Sequence, residues 1–204
     1  PRQLVGAIGY LQKKGAAAQH TRRQTPAARG AEDAEYMERF YRDSVTGAYS
    51  RLYFESFRSL LEQADGVAMI DADDFKRIND TYGHLVGDMA LRQICSAILS
   101  CVRESDTLIR YGGDEFLLLF SEIPYEAFLR RMREISDAVC RAAVEGYPEL
   151  KLSISIGGAY RGGTLDESIQ KADRRMYQAK AEYDARQDRT EQKEKNGGRN
   201  ETGR

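Results

Sequence analysis

Apolar positions in the middle of this chain switch repeatedly between helical spacing and strand-like runs. EDAEYMERFYRDS sets Tyr36, Met37, Phe40 and Tyr41 on one face, which predicts a short leading helix. SRLYFESFRSLLEQ spaces Leu52, Phe54, Phe57, Leu60 and Leu61 helically, with Ser50 placed as an N-cap. GVAMIDAD is a continuous apolar run closed by carboxylates, the pattern of a central strand. From Leu85 to Val102 the helical period returns through Leu91, Ile94, Cys95 and Ile98. TLIRY, two glycines and FLLLF then predict a β-hairpin of interior strands. A helix over about 125–145 follows, and after it KLSISIGG puts Leu152, Ile154 and Ile156 on one strand face. A last helix is expected over about 165–183. With hairpin strands at the centre, this order predicts an α+β fold, a largely antiparallel central sheet covered by helices.

The flanks read differently. Residues 1–32, with GAAAQHTRRQTPAARGA among them, have the composition of a linker or the remnant of an upstream domain. The absence of an initiating Met makes a fragment of a longer protein the expectation. ARQDRTEQKEKNGGRNETGR is nearly devoid of apolar residues, so 185–204 is expected to be a disordered charged tail. The folded unit should therefore span 33–184.

Charge and composition exclude more than they assign. A net charge of -1 gives no electrostatic reason to expect a DNA or RNA polymer, so any nucleotide recognition has to be local. Three cysteines without CxxC spacing disfavour a disulfide framework or a zinc site, and Cys95 and Cys101 are expected to pack as small apolar groups. No run approaches membrane-spanning length, which predicts no membrane contact by this segment; a cytoplasmic location is expected, and an upstream part, if any, could be membrane-bound.

The chemistry concentrates in RYGGDEF, residues 110–116. Gly112 and Gly113 are expected to make a tight turn at positive φ, over which a ligand can approach bare backbone. Asp114 and Glu115 then sit on that turn. If the strand ending at Asp71 lies beside the hairpin, three carboxylates meet, and such a group calls for cations between its members. Hard oxygen donors of this kind suit Mg²⁺ held jointly with substrate phosphates. Taken alone, each acidic stretch reads equally well as a polar turn. DADDFKRINDTY does not form a calcium loop, because Lys76 and Tyr82 replace the required glycine and glutamate.

RYGGDEF resembles the signature of the GGDEF family, the diguanylate cyclases. DADDFKRINDTYGHLVGD, DSVTGAYSR, SIG at 155–157 and ADRRMYQAK at 172–180 resemble further blocks of that family, in order, over about 43–180. The resemblance implies a palm-like nucleotidyl-cyclase fold that condenses two GTP into cyclic di-GMP. Asp71, the Ala72 carbonyl, Asp114 and Glu115 would hold Mg²⁺, with Mn²⁺ as the alternative, and Asp114 and Glu115 would be catalytic. Phe75, Lys76 and Lys180 would bind the GTP phosphates, Gly112 and Gly113 would also contact GTP, and Asn79 and Asp88 would read guanine. His84 fits a structural hydrogen bond better than a catalytic base.

Arg103, Asp106 and Arg110 resemble, in type and spacing, the family's inhibitory site for its own product; a basic helix end followed by a turn Asp, which needs no ligand, is the alternative. Since each chain carries one half-site, a homodimer is implied. One departure stands out: the family follows its Lys with Gly-Arg-Asn, whereas Asp184 occupies the Arg position here, with Arg186 the nearest substitute. A GTP or cyclic di-GMP sensor without turnover is therefore the alternative.

Overall fold

The computed structural model describes residues 39–197, with side chains as far as 189. The first element is β1 (Tyr49–Ser50), followed by α1 (Arg51–Leu61), β2 (Gly66–Ala72), α2 (Phe75–Tyr82) and α3 (His84–Cys101). The hairpin β3 (Thr107–Arg110) and β4 (Glu115–Phe120) comes next, then α4 (Tyr125–Arg141), β5 (Ile154–Tyr160) and α5 (Leu165–Gly197). Residues 39–40 are helical, but the rest of the expected leading helix and the N-terminal linker fall outside the described residues.

The five strands form one sheet in the order β1-β3-β4-β2-β5. All pairings are antiparallel except that of β1 with β3, so the sheet is mixed and largely antiparallel. Every residue of β2 is buried, which explains its unbroken apolar run. Ala68, Ile70 and Ala72 point to a core shared with α3 and α4. Val67 and Met69 point to a second core under α1 and α5. The sheet is thus the middle of three layers. Leu91, Ile94, Cys95 and Ile98 are each at most 1% exposed, as their spacing predicted.

Helix α1 departs from expectation. Leu52 and Leu60 are exposed, and the buried face is Tyr53, Phe54, Phe57 and Leu61. A non-helical Phe57 kinks the helix, and Tyr53 joins an aromatic group with Tyr41, Tyr49 and Phe57. Ser50 holds the N-cap position, yet its hydroxyl caps nothing and is buried without a partner. The last helix continues past Tyr183 to Gly197, because its Glu, Lys, Arg, Gln and Ala residues favour helix even without apolar faces.

The closest packing between layers lies at β5. A Cβ on Gly157 would come within 2.1 Å of the Met176 backbone nitrogen and 2.2 Å of the Ala172 carbonyl oxygen. Only glycine lets α5 lie flush against the strand there. This contact sets where the remainder of α5 passes over the end of β2.

Candidate active site at the ends of the central strands

β2 and β4 are neighbours, and Asp71 is directly opposite Glu115 in their register. The Ala72 N–H donates to the Asp114 carbonyl at 3.1 Å, which brings the third carboxylate's residue to the same place. The sheet therefore delivers Asp71, Asp114 and Glu115 to one edge from positions far apart in sequence. Burial pushes the Asp71 carboxyl above its ordinary range, and Asp114 and Asp184 add to the effect while Lys180 opposes it. Burial likewise raises Glu115, with repulsion from Asp71 and Asp114 next. Acids that resist ionisation together in this way fit a divalent cation. Among the described residues no three such ligands are closed into a metal cage, so any cation would complete its shell with substrate oxygens.

The glycine turn differs from expectation. Neither Gly112 nor Gly113 is at positive φ. Gly112 instead lies against its neighbour: a Cβ there would sit 2.5 Å from a Glu115 carboxylate oxygen and push that side chain aside. The turn is braced by Arg110, whose guanidinium donates to the Gly113 carbonyl at 2.6 and 3.1 Å and to Asp43 at 2.9 Å. Asp43 also accepts from the Thr46 N–H and hydroxyl. Burial works against its charge, but these bonds win and hold its carboxyl below the usual range. Arg110 is thus committed within the domain. Asp106 accepts from the Arg103 and Ser121 N–H groups, the role of a turn Asp, and Arg103 itself is exposed.

Asp73 is the carboxylate of this stretch that turns inward: it is 4% exposed and accepts the Ser155 hydroxyl at 2.6 Å. Beside the acidic edge lies an open cavity of about 410 Å³, lined by Asp74, Phe75, Lys76, Asp114, Lys180 and Asp184 among others. The short helix α2 begins at its wall with Phe75. Lys180 reaches across to Asp71, with Nζ 2.5 Å from the carboxylate. Burial lowers the Lys180 pKa, but its bond to Asp71 and the surrounding charges of Asp71, Asp114 and Asp73 together outweigh that and raise it. Arg186 does not enter the cavity; it pairs with Glu182 on the same helix.

On the far side of α2, Asn79 packs beneath Gly87, where a Cβ would be 2.0 Å from its Oδ1. That oxygen is buried without a hydrogen-bond partner, a costly state that a donor would relieve. Asp88 follows Gly87 on α3, one residue along from the position that packs on Asn79. His84 is exposed at the start of α3. Sequence reasoning missed Asp43 as the brace of Arg110, and it missed Tyr183, whose hydroxyl donates to Asp74 at 2.9 Å. Neither had a local signal, since each partner is distant along the chain.

A mixed, largely antiparallel sheet with paired carboxylates at its central strand ends, beside an open cavity with Lys180 on its wall, suits metal-assisted phosphoryl transfer. A family model described as diguanylate cyclase, GGDEF domain, matches residues 40–186. The chain belongs to the GGDEF family. Diguanylate cyclase DgcM of Escherichia coli K12 is 32% identical over 149 residues, covering 69% of this chain and 36% of that protein. Diguanylate cyclase DgcZ of the same organism is 34% identical over 146 residues, 68% of this chain and 49% of that protein. The chain thus spans half or less of these relatives. Among solved structures, diguanylate cyclase SiaD of Pseudomonas aeruginosa, crystallised with its activator SiaC, has a TM-score of 0.63 at 30% identity. That match covers 89% of this chain and 74% of the SiaD chain.

Proposed function

We propose that the folded unit, placed at 33–184, is a diguanylate cyclase domain acting in the cytoplasm. It condenses two GTP into cyclic di-GMP and releases two pyrophosphates. The observation that carries this reading is the register pairing of Asp71 with Glu115, with Asp114 adjacent and a Lys180-lined cavity alongside. Mg²⁺, or Mn²⁺ in its place, would be held by Asp71, Asp114, Glu115 and the Ala72 carbonyl, and would neutralise charge on the α-phosphate and the leaving pyrophosphate. Backbone N–H groups of Phe75 and Lys76 take the terminal phosphates at the start of α2, and Lys180 adds a cation there. Bare backbone at Gly112 and Gly113 leaves room for the nucleotide. Asp88 accepts from the guanine ring N–H and amine, a pair that adenine lacks, and Asn79 assists.

Each 3′-hydroxyl attacks the other nucleotide's α-phosphate, so two chains meet face to face as a homodimer. Product feedback rests on exposed Arg103, with Asp106 as its neighbour; Arg110 supports it only through the turn. One observation favours the sensor alternative: Asp184 lines the cavity, where an acid opposes a triphosphate, and Arg186 pairs elsewhere. Incubating the purified chain at high concentration with GTP and Mg²⁺, followed by nucleotide chromatography, tests the proposal. Cyclic di-GMP formed at a rate rising with the square of protein concentration is expected. Binding of cyclic di-GMP without turnover would replace the cyclase reading with the sensor reading.

A further inference from the structure

Two hydrogen bonds tie α5 to the β2–α2 turn in the same register: Lys180 to Asp71 and Tyr183 to Asp74, each spanning 109 residues. Beyond Met176 the helix loses its core contacts. From 177 to 189 only Ala179, Lys180 and Tyr183 escape full exposure, so Tyr183 is the last anchor of α5 within that span. It stands where the family pattern has its glycine.

Asp74 is unusual in two respects. Its φ is 56°, a left-handed conformation that costs a non-glycine residue about 1 kcal/mol and persists only where the surroundings hold it. It also occupies the N-cap position of α2 without capping it. An N-cap Asp ordinarily turns its carboxylate onto the first free N–H groups of its helix. Here the same Asp74 oxygen accepts from Tyr183 and, at 2.8 Å, from Arg77. The Arg77 contact is an exposed pair with 66% of the arginine side chain in water, the kind that holds little.

We propose that Tyr183 is a positioning residue that keeps the Asp74 carboxylate away from the start of α2, leaving those N–H groups open to the terminal phosphates of GTP. The inference rests on the phosphate placement proposed above. Without the Tyr183 hydroxyl, Asp74 relaxes from its left-handed backbone to the extended one an N-cap needs, and its carboxylate turns onto the helix N-terminus and competes with the phosphate, by hydrogen bonding and by charge. The role gains weight because Lys180 has to serve both Asp71 and the phosphate. When the lysine shifts, Tyr183 is the side chain still joining α5 to the turn.

The test measures binding of a non-hydrolysable GTP analogue with Mg²⁺ and, separately, KM and kcat for product formation. Tyr183→Phe should weaken analogue binding and raise KM about tenfold, the loss that corresponds to about 1.4 kcal/mol, with kcat within about twofold. Asp74→Gly, which suits the left-handed backbone and removes an acid that would compete with the phosphate, should bind the analogue no more weakly than wild type. The Tyr183→Phe/Asp74→Gly double variant should regain wild-type affinity within about twofold, a rescue that a merely structural role would not give. Unchanged affinity in Tyr183→Phe, a loss left unrecovered in the double variant, or weakened binding in Asp74→Gly alone each overturns the inference. If wild type binds and turns over GTP, such a result sinks this inference alone. A wild type that neither binds the analogue nor makes product takes the cyclase reading down with it.

Discussion

Asp43 shows how a residue remote from the chemistry can hold it in place. Its carboxylate takes Thr46 and Arg110, and Arg110 in turn grips the Gly113 carbonyl of the acidic turn. Because its folded pKa is depressed, its stabilising effect is present above the ordinary carboxylate range and is lost as the pH falls through the folded value. Asp43→Asn should therefore cost about 2 kcal/mol at neutral pH, since hydrogen bonds to an ionised group are lost. The gap between variant and wild type should narrow at an acidic pH below the ordinary carboxylate range, as the pH falls through the depressed folded value and Asp43 itself takes up a proton. Urea unfolding at the two pH values checks this; a constant gap would mean the charge on Asp43 is irrelevant.

At the scale of elements, what could be read from sequence was whatever repeats locally. The apolar run of β2 and the period of α3 encode burial, and both landed where expected. The alternation before β5 marks a strand, but Ile154 and Ile156 are only half-buried and Ser155 between them is buried. The carboxylate pairs at the strand ends were legible for the same reason, because a strand's end point is part of its pattern. Helix α1 was misread at Leu52 and Leu60, since the kink at Phe57 rotates the helix and the aromatic group around Tyr53 outcompetes the leucines for burial. Links such as Asp43–Arg110 and Tyr183–Asp74 depend on which elements become neighbours, which no short window carries.

Gly157 is the sharpest case of an element-scale constraint. Gly157→Ala would drive a methyl into the α5 backbone, which cannot rotate aside as a side chain can. The change should destabilise by about 3 kcal/mol, at the upper end of overpacking costs. Thermal melts compared with those of a surface variant such as Glu126→Ala, at an exposed position in the first turn of α4, would reveal it. A melt indistinguishable from wild type would show that α5 can lift off the sheet freely.

For the whole molecule, the half-site arrangement makes a numerical prediction. If each product needs two competent chains, mixing wild type with an equal amount of Asp114→Asn at fixed total concentration leaves about a quarter of the pairs fully competent. The rate should fall to about a quarter, whereas independent monomers would retain half. Titrating the ratio distinguishes the two.

The pairing of Asp71 with Glu115 also bears on how such a molecule fails. Side chains alternate along β2, and both of its faces are buried, so a slip of one residue would exchange its two cores and carry Asp71 away from Glu115. There is no intermediate threading in which the acidic edge is half built. Damage by ageing or mild heat should thus subtract working copies while leaving each survivor at full speed. Counting occupied nucleotide sites alongside turnover would expose that all-or-none bookkeeping.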